Sequence, residues 1–367
     1  MDERRFELPR SYPTYPPYPT YGVPTAPQPI VQRRFGSSTT VHVVLFVLTF
    51  LTTTMAGALN AGVDPFSSPL GLIEGLPFST TLMLILLCHE LGHYSFAAFH
   101  RVPATLPYFI PGPPFLVGTF GAFIRMHGMP RNRRALFDVG AAGPWAGMFV
   151  AVPAVVLGLR WSEVYPLQAP VTGDLVLGNS LLFSTLTKWV LGIHPDDATI
   201  LLHPVALAGW FGIFVTFLNL LPVGQLDGGH VVYALFGRGH RTIARLFFIV
   251  VLAMGFFGWQ GWFVWALLLG FVLRVDHPDT ADRDTPLDPF RKLAAWATIG
   301  IFILTFMPVP LSVETPPEPV QFRREAPRVP FFDDDRPRRR RFEDDGTLMD
   351  IRAGEAPSRA AILAHPA

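Results

Sequence analysis

The segment His89-Glu90-Leu91-Gly92-His93 combines two histidines and a glutamate at a spacing that can bind and use a metal ion. On a helix the two histidines lie one turn apart and face the same way, so both imidazoles can contact one zinc ion. Glu90 directly follows the first histidine and lies where it can accept a proton from water at the metal. The pattern predicts His89 and His93 as zinc ligands and Glu90 as the general base of a hydrolytic site.

The apolar sequence around this motif argues against a chance match. Residues 84–88, directly before it, read Leu-Ile-Leu-Leu-Cys. Ionisable groups at membrane depth cost about 2.5–3.5 kcal/mol each, so they rarely persist there without a function. Cys88 adjoins His89, but adjacent helical positions point about 100° apart, and we interpret Cys88 as a packed core residue.

A third metal ligand must come from another part of the chain, because catalytic zinc sites usually have three protein ligands and a water. His100, seven residues past His93, does not match the downstream ligand spacing of soluble zinc proteases. Asp227 is the better candidate, within the sequence Asn-Leu-Leu-Pro-Val-Gly-Gln-Leu-Asp-Gly-Gly-His at 219–230. Pro222 breaks a helix there, and the paired glycines let the backbone approach closely.

Charge accounting supports the same ligand set. Zinc with two neutral imidazoles and the Asp227 carboxylate would carry one positive charge, which an ionised Glu90 would balance. A buried site of near-zero net charge costs far less than any of these groups alone. The residues therefore predict one Zn²⁺ per chain, held by His89, His93 and Asp227.

The elements that must position these residues are long apolar segments. The 367 residues are 50% hydrophobic and 16% charged, with a mean hydropathy of +0.35, whereas soluble domains are about 25% charged. Runs close to the ~20 residues that a helix needs to cross a bilayer occupy 41–59, 76–99, 135–159, 199–221, 243–273 and 293–309. Because 243–273 is long enough for two short spans, we predict an all-α polytopic membrane protein with about seven transmembrane helices. The apolar segment 176–193 is expected to lie at the membrane interface.

The distribution of arginine orients these segments. Arg33 and Arg34 precede the first one and predict a cytoplasmic N-terminus, and the 100–134 connection, which carries five arginines, belongs on the same side. The predicted metal ligands then lie towards the cytoplasm. Arginine-rich connections on the cytoplasmic side alternate with arginine-poor connections outside. This alternation fails at the last segment, because a seventh crossing puts the arginine-rich stretch 336–341 outside. Either that tail is translocated or the last segment does not cross.

Taken together, the motifs resemble the site-2 protease family of intramembrane zinc metalloproteases. The matching stretches are HELGH at 89–93, DVGAAGPWAG at 138–147 and NLLPVGQLDGGH at 219–230. The stretch LPYFIPGPPFLVGTFGAFIRM at 106–126 is similar to the family's membrane re-entrant segment. The resemblance covers roughly 40–275 and is greatest to the branch found in cyanobacteria, chloroplasts and other bacteria.

The resemblance implies hydrolysis of peptide bonds in or near the transmembrane segments of single-span regulatory proteins that another protease has already cleaved. It assigns the zinc-ligand and general-base roles to the residues named above, and it assigns substrate orientation to Asn219. It also implies a multi-pass protein of the bacterial cytoplasmic membrane, which acts within the lipid bilayer with its active site towards the cytoplasm. No nucleic-acid partner is expected, since the formal net charge is only +1.

The re-entrant segment of the family implies a short, β-like, substrate-binding strand. Gly118, Thr119, Phe120 and Gly121 would lie on this strand and pair with an unwound substrate. An edge strand gives affinity through main-chain hydrogen bonds without requiring a particular side-chain sequence. Unwinding is also a chemical requirement, because a helix shields its peptide carbonyls from attack.

The expected organisation has three regions. Residues 1–40 are predicted to form a disordered Tyr/Pro-rich cytoplasmic tail, because repeated tyrosine and proline build neither helix nor core. Residues 41–309 form the membrane-embedded metalloprotease domain. Residues 310–367 mix charge blocks of both signs and are predicted to form a disordered charged tail.

Two other functions stay open at this point. A membrane ion or metal transporter would use the intramembrane His, Glu and Asp as a relay, but the place of the glutamate within H-E-x-x-H argues against it. A proteolytically silent relative would act as a binding scaffold, although it would not need three ligands and a base. His230, directly after the aspartate motif, is either a residue of the site or a loop histidine.

Overall fold

The computed structural model describes residues 39–128, 130–167, 175–272, 275, 277, 280, 282, 285–313 and 361–362. Within them the chain forms nine α-helices: α1 (Thr39–Asn60), α2 (Leu72–Phe99), α3 (Arg133–Arg160), α4 (Leu181–Leu191), α5 (Pro204–Asn219), α6 (Asp227–Phe236), α7 (His240–Phe257), α8 (Gly261–Leu267) and α9 (Pro289–Thr305). The same residues form seven strands: β1 (Tyr108–Pro111), β2 (Thr119–Phe123), β3 (Glu163–Pro166), β4 (Leu175–Leu177), β5 (Ala198–Leu201), β6 (Leu311–Val313) and β7 (Ala361–Ile362).

Each of the six apolar segments expected to cross the membrane contains at least one helix. Four helical stretches among the described residues are long and apolar enough to cross a membrane: Thr39–Asn60, Pro69–Phe99, Arg133–Arg160 and Asp227–Phe257. Shorter apolar helices cover Leu181–Leu191, Pro204–Asn219 and Gly261–Phe271. The segment 243–273 contains most of α7 and all of α8, which are separated at Gly258. The chain is therefore a mostly helical integral membrane protein.

Helices α2, α3 and α5 pack against one another at the centre of the fold. Large apolar side chains of α2 and α5 fill this core, and Phe78 of α2 meets Phe211 of α5 edge to face, with ring centroids 6.1 Å apart. α3 contributes the small residues of 140–147, which let its backbone approach α2 closely. The second half of α2 therefore lies directly against the first half of α3.

The segment 106–126 forms an antiparallel hairpin, which agrees with the β-like character expected of it. β1 and β2 pair from Tyr108 opposite Phe123 to Pro111 opposite Thr119. The hairpin is tied to α1, because the Thr52 hydroxyl donates to the Gly118 carbonyl at 2.6 Å. β2 has no second strand partner among the residues that the structure describes.

A second sheet corrects the expectation of an all-α protein. It has the strand order β3-β5-β7-β4-β6. The sheet brings together the segment after α3, the segment before α5 and the segment after α9. The charged tail predicted for 310–367 therefore begins with a paired strand, β6, and the pair at 361–362 also joins the sheet. Strands of two to four residues are too short to produce the alternating pattern that identifies a strand in a sequence.

The other tail predictions concern residues outside the described ranges. This applies to 1–38, 314–360 and 363–367. Thr39 and Thr40, which the sequence places in the N-terminal tail, already belong to α1. The predicted interfacial segment 176–193 contains β4 and the amphipathic helix α4.

Candidate active site

The motif residues of α2 are buried in the protein interior. His89, Glu90 and His93 are 3%, 4% and 7% exposed. Helical spacing places both imidazoles on one face, and their Nε2 atoms lie 3.1 Å apart. Two ring nitrogens that both present lone pairs at this distance favour a cation between them. α2 thus supplies two nitrogen atoms that could hold a metal ion.

Asp227 reaches the two histidines from the first turn of α6. Its Oδ2 atom lies 3.2 Å from His89 Nε2 and 3.3 Å from His93 Nε2. The turn between α5 and α6 brings it there by folding back tightly on itself. A Cβ built on Gly228 would lie 1.9 Å from the carbonyl oxygen of Leu220, so only glycine permits this approach.

The orientation of His93 is set by α3. Its Nδ1–H donates to the carbonyl of Val139 at 2.7 Å, which leaves the Nε2 lone pair facing His89 and Asp227. The ring lies directly against the backbone of α3, since a Cβ built on Gly143 would be 2.1 Å from His93 Nε2. The DVGAAGPWAG stretch therefore supplies both an orienting carbonyl and the space that the imidazole occupies.

These three side chains fit a zinc ion. Zinc at about 2.0–2.1 Å from each of its tetrahedral ligands separates the ligand atoms by about 3.3–3.4 Å. The three distances here are 3.1, 3.2 and 3.3 Å. Two imidazole nitrogens and one carboxylate oxygen are also donors that zinc prefers. His89, His93 and Asp227 are the one group of this kind among the described residues.

A cavity of about 370 Å³ is lined by His89, His93 and Asp227. Glu90, Asn219 and the end of the hairpin, residues 122–126, line it as well. Ile124 of the hairpin and Glu90 both line this cavity, and the Asn219 amide nitrogen lies 3.2 Å from His89 Nε2. The predicted base, the predicted orienting residue and the hairpin therefore face one space.

The four residues predicted to bind substrate on the strand are not in this cavity. Gly118 contacts α1, and the Thr119 hydroxyl donates to the carbonyl of Ile110 in the neighbouring strand. Phe120 is exposed, and Gly121 also lies outside the lining residues. The part of the hairpin that lines the cavity beside His89, His93 and Asp227 is instead 122–126, which follows the four predicted residues in the chain.

His230 is a cavity residue that sequence reasoning left open. It lies within α6, not in a loop, and its Nδ1 is 2.7 Å from Nε2 of the buried His277. His230 lies three residues after Asp227, so the two residues are neighbours on one helix face. This spacing is the signal that could have identified His230 as a residue of the site. Val139 and Gly143 were missed as individual residues, because a backbone carbonyl and an absent side chain give no chemical signal in a sequence.

Comparisons with known proteins agree with this geometry. Residues 77–258 match peptidase family M50. The chain is 31% identical over 241 residues to a protein of Arabidopsis thaliana named "Probable zinc metalloprotease EGY1, chloroplastic", an alignment that covers 64% of this chain and 43% of that protein. It is 29% identical over 234 residues to the EGY2 protein of the same plant, covering 64% and 41%. The chain spans about two-fifths of the length of these curated relatives.

The helical body thus contains a buried His-His-Asp group beside a glutamate, which are residue types that can hold a zinc ion and supply a base. The chain carries a peptidase family M50 domain, the domain of the site-2 proteases. This match confirms the resemblance drawn from the motifs. Zinc is the metal that the family and the donor set both imply.

Proposed function

We propose that this protein is an intramembrane zinc metalloprotease that hydrolyses peptide bonds in or near the transmembrane segments of membrane proteins. The observation that carries the proposal is the triangle of His89 Nε2, His93 Nε2 and Asp227 Oδ2, which faces the same cavity as Glu90. No comparison supports the ion or metal transporter considered as the alternative.

The residues of the site have separable roles. The chemistry that zinc supplies when held by His89, His93 and Asp227 is polarisation of a peptide carbonyl and a lowered pKa for water. Glu90 accepts the proton of the attacking water and delivers it to the leaving amine. Its buried position beside Ile124 keeps the carboxylate aimed at the cavity. Asn219 has an amide that can hold the substrate carbonyl in line for attack.

Substrate is proposed to bind as an extended strand beside the end of β2. A helical peptide bond is shielded by its own hydrogen bonds, so the scissile segment must unwind before attack. The open edge of β2 and residues 122–126 offer main-chain partners next to Glu90. We propose that the hairpin is the membrane re-entrant segment, because irregular backbone at membrane depth is tolerated where protein covers it, and α1 packs on this hairpin.

The arrangement of α9 supports seven crossings. Arg291 contacts Asp138 near the start of α3, and Thr298 accepts a hydrogen bond from Trp145 two turns further along. The two helices therefore run parallel. β6, directly after α9, joins the sheet that follows α3. We propose that α9 crosses in the same direction as α3, which favours the translocated tail of the two alternatives.

The expected partner is a single-span membrane protein already shortened by another protease. The cavity of about 370 Å³ beside a strand edge supports this class, since it accepts one extended segment more readily than a folded domain. The active site is proposed to lie towards the cytoplasmic side, by the arginine distribution. The curated relatives are named as chloroplastic, so nothing in the comparisons supports a bacterial cytoplasmic membrane, and we propose only an integral membrane location.

The test is cleavage of a labelled single-span peptide by the purified protein in proteoliposomes. Glu90→Gln should retain zinc and lose cleavage by about 10²-fold or more, because it keeps the shape of the side chain and removes the base. His93→Ala should lose both zinc and cleavage. Chelation should abolish cleavage by the unmodified protein, and added Zn²⁺ should restore it.

Glu74→Gln provides the matched control for this experiment. Glu74 is an exposed residue in the first turn of the same helix, so the same substitution there should leave zinc content and cleavage unchanged. Unimpaired proteolysis by the Glu90→Gln protein would refute the mechanism. Flux of ions across sealed vesicles without any cleaved product would instead support the transporter.

A further inference from the structure

Three helices are joined by an ionic cluster about Asp138, near the start of α3. The Arg291 guanidinium of α9 donates to both carboxylate oxygens of Asp138, from Nε at 2.8 Å and from Nη2 at 2.7 Å. His100, at the end of α2, donates from Nε2 to the same carboxylate at 2.7 Å. The Asp138 side chain is only 9% exposed. This forked geometry fixes both the distance and the orientation of the two partners.

Arg291 is itself held rigidly at the start of α9. Asp288 caps that helix by accepting from the Arg291 backbone N–H at 3.0 Å, and its second oxygen accepts from Nη1 at 2.6 Å. Four donor groups of one arginine are thus used by two carboxylates. A side chain held by hydrogen bonds on both helices couples the position of α9 to that of α3, because neither helix can shift without breaking some of these bonds.

The cluster adjoins the group that orients a metal ligand. Val139, the residue after Asp138, presents the carbonyl that accepts the Nδ1–H of His93 at 2.7 Å. Gly143, one turn further along α3, lies against the same imidazole ring. A shift of the start of α3 relative to α2 would therefore move the carbonyl and rotate His93. An outer-shell partner of a metal-bound histidine sets its tautomer and its orientation in this way.

From this arrangement we infer that Arg291 is a positioning residue of the metal site, which acts through Asp138 and the Val139 carbonyl to orient His93. The inference rests on the proposed function and extends it, since α9 lies beyond the residues 77–258 that match the family. The site then requires a helix that the matched region does not contain. A second contact, from the Trp145 indole N–H to Thr298 at 3.0 Å, keeps α9 in register with α3.

The experiment compares the full-length protein with Arg291→Gln and Arg291→Lys. Arg291→Gln removes the charge and the fork, and we expect zinc affinity to fall by about 10–100-fold, as for other outer-shell partners. Chelator competition measures this affinity. The absorption spectrum of the Co²⁺-substituted protein should change as well, because its bands report the ligand geometry at the metal. On a labelled single-span peptide, kcat should fall while KM stays near that of the unmodified protein.

Arg291→Lys keeps the charge but cannot form the fork, so it should give intermediate values of affinity and kcat. Lys292→Gln is the matched control, because Lys292 is the next residue of α9 and is exposed. We expect this variant to match the unmodified protein in affinity, spectrum and kcat.

The inference is overturned if a folded Arg291→Gln protein has unchanged zinc affinity and an unchanged Co²⁺ spectrum, even if its cleavage is slower. Should Arg291→Gln fail to fold, the same two measurements on Arg291→Lys decide, and unchanged zinc affinity with an unchanged Co²⁺ spectrum overturns the inference. Both metal measurements are independent of proteolysis. If the unmodified protein cleaves no peptide, the proposed function fails, while the affinity comparison still decides the role of Arg291.

Discussion

The close contact between α3 and His93 predicts a large effect from the smallest possible change, Gly143→Ala. The added Cβ would lie 2.1 Å from His93 Nε2, with two other ring atoms at 2.4 and 2.5 Å. Ordinary contact between such atoms is about 3.5 Å, so the imidazole or the helix must move by about 1.4 Å. Metal–ligand distances tolerate only about 0.2 Å. The substitution should therefore remove His93 from the ligand set.

Two opposing effects decide the outcome for folding. Alanine is favoured over glycine within a helix by about 0.5–1 kcal/mol. Overpacking of a tight interior costs about 1–3 kcal/mol. The cost of overpacking therefore outweighs the gain in helix propensity. The His93 ring is displaced, because its atoms are the nearest to the added Cβ. We expect zinc affinity to fall at least about 100-fold, equivalent to about 2.8 kcal/mol.

The assay is zinc binding by the purified protein in a series of zinc buffers, together with thermal unfolding with and without zinc. Added zinc should raise the melting temperature of the unmodified protein by mass action, and it should have little effect on Gly143→Ala. Gly300→Ala is the control, because Gly300 lies in α9 with no atom within 4 Å of a built Cβ. Gly143→Ala that bound zinc with unchanged affinity would refute the packing argument.

Two further predictions concern elements around the site. Arg133 donates to the carbonyls of Ala234 and Leu235 at 2.9 and 3.0 Å and so caps the end of α6, the helix that starts with Asp227. Arg133→Gln should destabilise the protein by about 1–3 kcal/mol, measured by thermal unfolding, and a loss no larger than that of the neighbouring Arg134→Gln would contradict this. Asp288 has its pKa lowered from 3.8 to about 2 because it accepts hydrogen bonds from Arg291. Its ionised form is therefore favoured by folding, so the stability difference between the unmodified protein and Asp288→Asn should be constant above about pH 5 and decline as the pH falls towards 2. A difference that stayed unchanged down to pH 2 would exclude this assignment.

Local chemistry was readable from the sequence because it follows the helical period. His89 and His93 lie one turn apart on the same face of any helix, and Glu90 directly follows His89, whatever surrounds the helix. The apolar segments were readable too, since a bilayer demands their length and composition. Asp227 could be proposed from charge balance and from the glycines that follow it, although no spacing rule links it to residues more than a hundred positions earlier.

The remaining features depended on which helix faces lie together. The Arg291–Asp138 contact joins residues 153 positions apart, and the contact of His93 with the Val139 carbonyl spans 46 positions. Neither contact leaves a periodic pattern in the sequence. The same holds for the hairpin, where the structure assigns 122–126 to the cavity and Gly118 to α1. Residue types and helical spacing thus predicted the chemistry. Close packing of α2, α3 and α9 decided which groups surround the predicted site, because only a folded chain brings distant backbone and charged groups within hydrogen-bond distance.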